Sequence, residues 1–149
     1  MTYGTNGQAI TITLASLANT SLQQSTSIDN TINLHNDALV ELAIKTGASG
    51  VSATGYLDVY AYGTANNGTN YSGGATGTDG AFTGTLNIKR IGRIAAVANA
   101  TTYTDVFAVA PAFSGVLPQK WGIIVENQTG AALDATEGNH LKVYQGVTY

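Results

Sequence analysis

The chain has 149 residues, which is enough for one domain with a sizeable hydrophobic core. Only 10% of the residues are charged, and six Lys and Arg against nine Asp and Glu leave a net charge of -3. This balance provides no basic patch for nucleic acid, and the absence of cysteine excludes disulfides and thiolate metal sites.

The first predicted element is a strand from Gln8 to Leu14. The side chains of Ile10, Ile12 and Leu14 share one face, while two threonines take the other. Such alternation is typical of a half-buried strand. The ten residues that follow are open between a loop and a short turn of helix, and Asp29-Asn30 then indicates a turn.

The segment from Asp37 to Lys45 fits two structures. A helix would have its N-cap at Asn36 or Asp37, an ion pair from Glu41 to Lys45, and Gly47 just past its end. That helix would spread five aliphatic side chains almost all round its axis, so we favour a strand. The strand would have two faces: Ala38, Val40, Leu42 and Ile44 on one, and Leu39, Glu41, Ala43 and Lys45 on the other.

Five more strands are predicted in the rest of the chain. They are Gly55 to Tyr62, Asn87 to Ala98, Thr102 to Ala110, Lys120 to Asn127 and Leu141 to Val147. Polar turns separate them, and the longest connection is a Gly-rich loop at 63-84. Seven or eight short strands without a long helix predict an all-β, single-domain β-sandwich over residues 1-149. A jelly roll of about eight antiparallel strands fits this pattern.

Motifs for catalysis are sparse. His35 and His140 lie far apart in sequence and in no recognisable triad or HExxH setting, so both are interpreted as surface or turn residues. The run GGATGTDG, from Gly73 to Gly80, lacks the lysine and the following helix that a phosphate loop requires. Its single acid, Asp79, is too few for a calcium loop.

The densest polar group lies before the last strand. Asp134, Thr136, Glu137 and Asn139 would supply oxygen ligands for a weak cation site, but a polar turn is the favoured interpretation because calcium needs six to eight such ligands. We therefore assign no catalytic, cofactor-binding or metal-binding residue, and we expect no enzyme activity.

A stripe of tyrosines marks the strand at Gly55 to Tyr62. Its alternation turns Leu57, Val59 and Ala61 one way, and an unpaired carboxylate in the core would cost several kcal/mol. Asp58 therefore predicts that the other face is exposed to solvent. The candidate interface consists of Tyr56, Asp58, Tyr60, Tyr62 and Tyr71. Three interpretations stay open: rings that cover the sheet or lie under the following loop, a protein contact, or a sugar-binding platform.

Several phrases of the sequence resemble a family of small virion proteins of tailed bacteriophages. They are DALVELAIKTGASGVSATGYLDVYAYGT, GRIAAVANATTY, LPQKWGIIVENQTGAALDAT and the final YQGV. The likeness extends from about Thr13 to Val147 and contains no catalytic motif. It implies a virion structural protein with a jelly-roll-like sandwich, and it does not specify a position in the particle.

These observations lead us to expect a capsid cement or decoration protein on the outside of the phage head. Its partners would be the major capsid protein and copies of itself, with a homotrimer as the expected unit. The opening MTYGTNGQ has no signal-peptide pattern and no apolar run is long enough to span a membrane, so we expect synthesis in the host cytoplasm. The alternatives are a tail, collar or fibre-associated protein, and a carbohydrate-binding module for host glycans.

Overall fold

Two antiparallel sheets face each other across a common core in the computed structural model, which describes residues 1-149. The strands are β1 Thr2–Tyr3, β2 Gln8–Ala9, β3 Leu22–Gln24, β4 Ile28–Asp29, β5 Asp37–Lys45, β6 Tyr56–Thr64, β7 Gly80–Ala81, β8 Lys89–Ala95, β9 Thr102–Ala108, β10 Lys120–Gln128 and β11 Leu141–Thr148. Three short 3₁₀ turns, Ser72–Gly74, Ala110–Phe113 and Glu137–Asn139, are the only helical elements.

Sheet A has the order β1-β11-β5-β9, with β2 also paired to β11. Sheet B has the order β7-β3-β10-β6-β8, with β4 also paired to β10. The predicted all-β sandwich is confirmed. The five strands predicted between Gly55 and Val147 all form, with ends that differ from the predicted ones by up to three residues.

The core fills the space between the two sheets. Alternate side chains of β5, β6 and β10 point inward and are almost completely buried. They are Ala38, Val40, Leu42 and Ile44 on β5, Leu57, Val59 and Ala61 on β6, and Trp121, Ile123 and Val125 on β10. The strand interpretation of Asp37–Lys45 is confirmed, because β5 pairs with β11 on one side and with β9 on the other.

The segment from Gln8 to Leu14 departs from the prediction in its backbone, although its burial alternates as expected. Ile10, Ile12 and Leu14 are buried, but strand pairing ends at Ala9. Beyond that point the Ile10 N–H still donates to the Lys142 carbonyl, and charged side chains supply further hydrogen bonds. The Leu14 N–H donates to Glu137, and the Ile12 carbonyl accepts from Lys142. The last strand, its preceding turn and Asp79 of the Gly-rich loop therefore hold this stretch.

The Gly-rich loop folds back over the outer face of sheet B. Its strand β7 pairs with β3, and its side chains form a second, smaller core with that face. The buried members of this cluster are Tyr62, Ala75, Phe82 and Ile124. The loop thus adds a third layer over half of sheet B.

Candidate interaction surfaces

The outer face of sheet B is the surface predicted from the tyrosine stripe, and its loop-covered half is not exposed. Tyr62 has 0% of its surface exposed, so the prediction that it stands on an open face is wrong. Its hydroxyl donates to the Ser25 carbonyl at 2.6 Å, and its ring packs edge to face against Tyr71 with centroids 5.4 Å apart. Tyr71 in turn donates to the Ser27 hydroxyl at 2.9 Å. Among the three interpretations of the stripe, the one in which the rings lie under the following loop is therefore correct for Tyr62.

Asp58 occupies the centre of the other half of this face, and it is buried rather than wet. It is 4% exposed, which contradicts the expectation drawn from its charge. The reason is pairing: Arg93, its cross-strand neighbour, donates two hydrogen bonds of 2.7 Å, and Arg90 adds a contact at 3.4 Å. Burial opposes ionisation of this carboxyl, but the bonds and charge of Arg93 outweigh it, and the pKa of Asp58 lies below its usual value.

Tyr56 and Tyr60 are the two stripe residues that stay half-exposed. The Arg93 guanidinium lies 3.7 Å from the centre of the Tyr56 ring, a cation–π contact. The Tyr60 hydroxyl donates to Glu126 at 3.0 Å. Partial burial, with this hydrogen bond second, raises the pKa of Tyr60 to about 12. The exposed half of the stripe is therefore a network whose charges are paired within the chain.

The outer face of sheet A is broader and less charged, and the sequence analysis did not select it. We define the sheet A face as Leu39, Glu41, Ala43, Val106, Leu141 and Val143. Val106 and Leu141 are 52% and 44% exposed. The register places Val106, Glu41 and Val143 in one row across three strands. Glu41 is charged, and Lys45 lies on the same side of β5, where it pairs with Asp134 at 3.3 Å. Part of this face was predictable from the sequence, because the strand interpretation put Leu39, Glu41 and Ala43 on one side.

The polar group before β11 is a hydrogen-bonded turn, as favoured from the sequence. Asp134 accepts from the Thr136 N–H and the Asn139 amide, both at 2.9 Å, and pairs with Lys45 at 3.3 Å. The Thr136 bond, followed by the Asn139 bond, lowers the pKa of Asp134 to about 2. Nowhere in the chain do three His, Asp or Glu side chains come together in a way that would hold a metal ion.

Glu137 of the same turn binds the backbone of the segment that ends at Ala15. It accepts from the N–H groups of Leu14 and Ala15 at 2.9 and 2.6 Å and contacts the Lys142 ammonium group. Burial opposes its ionisation, but the bonds from Lys142 and Ala15 outweigh burial and lower its pKa. The carboxylate is thus a structural brace.

The two histidines contact different parts of the molecule. His140 is buried, its Nδ1 accepts from the Lys45 N–H at 3.2 Å, and its Nε2 lies 3.0 Å from the Asp134 carbonyl. His35 packs over Gly146 and its Nδ1 lies 3.3 Å from the Thr148 hydroxyl. Both rings bind backbone or neighbouring side chains of the fold.

Comparison with protein-family models, with curated proteins and with solved structures gives no match. The helical elements of the structure include none with the length and hydrophobicity needed to cross a membrane.

Proposed function

We propose that this chain is a non-enzymatic structural protein of a tailed-bacteriophage particle, and that it binds the outside of the head shell and stabilises it. The single observation that carries the proposal is the sheet A face, where Val106 and Leu141 are exposed beside the partly buried Leu39 and Val143 and few side chains are charged. A surface of this kind suits permanent contact with another protein, because apolar area gains from burial and few charges have to be desolvated.

A single contact through the sheet A face is weak. If Leu39, Val106 and Val143 each lost on the order of 50 Å², the gain would be roughly 4 kcal/mol at about 25 cal/mol per Å². Association costs about 4–15 kcal/mol. The contact therefore requires further contacts in a repeated assembly, which a symmetric shell provides. Glu41 adds a requirement, since the partner has to present a cation opposite it or leave it at the rim.

Two further observations support a virion protein. The strand order β2-β11-β5-β9 over β3-β10-β6-β8 is that of a jelly roll, an architecture that viral capsid proteins and lectins share. The phrases of the sequence that resemble phage virion proteins include all of β5 and β6. The fold is equally compatible with other roles, so the assignment rests on the surface and the resemblance.

The decisive experiment counts this chain in purified virions by quantitative mass spectrometry. A copy number that scales with the shell subunits is expected, together with release from heads under mild denaturant. A few copies that leave with tails would instead support the tail, collar or fibre alternative. Absence from the particle would overturn both.

A matched pair of variants tests the surface. Val106→Asp places a charge on the sheet A face, while Val97→Asp makes the same change at a valine that is 44% exposed in the turn after β8. Both should fold, because neither side chain belongs to the core. Stripped heads incubated with Val106→Asp should retain far less protein than those incubated with Val97→Asp. Equal occupancy would exclude the sheet A face as the contact.

The carbohydrate-binding alternative has fewer tyrosine rings available than the sequence implied. Tyr62 is buried, so Tyr56, Tyr60 and Tyr71 are the candidate residues that keep partly exposed ring surface for stacking on a sugar. Binding to a glycan array that is lost in Tyr60→Ala and retained in Val106→Asp would favour this function over capsid binding.

A further inference from the structure

One end of the sandwich carries exposed aliphatic side chains on its loops. Ile32 is 87% exposed, Leu34 is 69% exposed and Val116 is 71% exposed. Single exposed apolar residues are ordinary, but three of them on two loops joined by a backbone hydrogen bond form a candidate interaction site. We call Ile32 and Leu34, with the loop 30-36 that carries them, the knob.

Asn36 joins the knob to its neighbours. Its N–H donates to the Val147 carbonyl at 2.8 Å, its carbonyl accepts from the Leu117 N–H at 3.1 Å, and its side-chain oxygen accepts from the Tyr149 N–H at 2.9 Å. Asn30 adds a bond to the Gln119 carbonyl at 2.8 Å. The knob is therefore braced by the loop before β10 and by the end of β11.

Leu34 has a backbone conformation that leucine rarely adopts. Its φ is 51°, in the left-handed region that favours Gly, Asn and Asp. Its side chain is exposed, so packing in the core does not offset this strain. Strained backbone positions cluster at functional sites, although five other non-glycine residues of this chain also have a positive φ.

A groove lies beside the knob at the same end of the molecule. It measures about 530 Å³, and its apolar wall includes Phe113, Val116, Leu117 and Pro118, with Thr64 and Gln119 among its polar members. An apolar cavity of about 150 Å³ admits a benzene ring. The groove therefore has room for the side chains of both Ile32 and Leu34, and no charged residue lines it.

We propose that two copies of this chain associate end to end, each inserting its knob into the groove of the other. Knob and groove lie at the same end, so a two-fold axis brings both pairs together at once, which is the isologous arrangement of most homodimers. The inference goes beyond the proposed function, because it names the surface through which copies of the chain associate. This pairing differs from the three-fold unit expected from the sequence.

The areas involved fit a reciprocal contact. A knob and a groove that each lose roughly 300 Å² bury about 600 Å², which is below the ~1,000 Å² expected of a specific interface. The two-fold axis doubles this to about 1,200 Å², at the lower end of standard interfaces. We therefore expect a monomer–dimer equilibrium and no stable one-sided contact.

Sedimentation equilibrium of Leu34→Asn is the first test. Asn adopts a φ of 51° at a lower energy than Leu does, so the urea midpoint of the monomer should be unchanged or higher. The dissociation constant of the dimer should rise at least tenfold. Val97→Asn, at the opposite end, should dimerise like the wild type. Wild-type protein that stays monomeric at millimolar concentration, or a Leu34→Asn variant that dimerises normally, would overturn the proposal.

Crosslinking is the second test, and the chain suits it because it contains no cysteine. A mixture of Ile32→Cys and Ala65→Cys should form a mixed covalent dimer with a short bis-maleimide, since Ala65 lies at the groove. A mixture of Ile32→Cys and Val97→Cys should not. Equal yields in the two mixtures, or trimers in place of dimers, would contradict the two-fold exchange.

The two proposals fail in distinguishable ways. If the knob is not an interface, the isolated protein stays monomeric although it is still found on heads. If the virion function is wrong, the protein dimerises through the knob in solution and is absent from particles.

Discussion

The ring of Tyr62 lies across the backbone of Gly122, the residue opposite it on β10. A β-carbon at Gly122 would lie 2.4 Å from Cζ of that ring, closer than any normal contact. The absence of a side chain at position 122 thus lets the tyrosine cross β10 and donate to the Ser25 carbonyl.

We expect Gly122→Ala to destabilise the chain by about 1–3 kcal/mol, because the ring is enclosed by the Gly-rich loop and has no free space to move into. The free energy of unfolding in urea measures this. Gly80→Ala is the matched control, since a β-carbon there meets no atom within 4 Å, and it should leave stability nearly unchanged. Equal effects at the two positions would show that the tyrosine yields readily.

Asp37 is the second expected point of fragility. One of its oxygens accepts from the N–H groups of Ala38, Val109 and Ala110, at 2.7, 3.1 and 2.7 Å, in a buried position. Asp37→Ala should cost about 2–4 kcal/mol in unfolding free energy, because buried donors lose their acceptor. Asp37→Asn retains a carbonyl oxygen and should cost less. A larger loss in Asp37→Asn than in Asp37→Ala would contradict this role.

Stability should fall in acid. The carboxyl groups of Asp134 and Glu137 have lowered pKa values in the folded chain, about 2 for Asp134. Their contribution is complete above the usual carboxyl pKa near 4 and is lost as the pH falls through the lowered folded values. The urea midpoint should therefore decline between about pH 4 and pH 2. Asp134→Asn should flatten that decline, and a slope as steep as the wild type's would refute the assignment.

Asp79 should anchor the Gly-rich loop. It accepts from the Thr13 N–H at 2.9 Å, from the Thr13 hydroxyl at 2.6 Å and from the Gln23 amide at 2.8 Å. Asp79→Ala should leave the core intact and increase proteolytic cleavage within residues 65-78, because the loop loses three of its hydrogen bonds to the rest of the chain. Asp105→Ala is the control, since that exposed acid accepts only from its neighbour Val106. Cleavage at the wild-type rate would show that packing alone holds the loop.

Deletion of the Gly-rich loop should affect the stability of the fold. Deleting residues 65-79 uncovers Tyr62 and Ile124, which are both fully buried. The sequence leaves open whether the tyrosine rings lie under this loop or contact a partner. The structure makes it the lid of a second core, so the deletion should lower stability rather than only remove a contact.

Alternation along the chain determined the strands and the inner faces. Residues two apart point the same way in a strand, so Leu57, Val59 and Ala61, and the even-numbered aliphatic residues of β5, had one plausible destination. The same local rule placed Tyr56, Asp58, Tyr60 and Tyr62 together on the opposite side. The polar turn at Asp134 was also visible locally, because the bonds of Asp134 to Thr136 and Asn139 join residues close in sequence.

Tertiary structure decided what covers each outer face. The chain returns over the ring of Tyr62 through Tyr71, Ala75 and Phe82. Arg93, 35 residues from Asp58, neutralises that carboxylate. The knob and the groove meet because Asn36 binds both the loop before β10 and the end of β11. Such contacts depend on pairing between distant segments, which alternation within one strand does not encode.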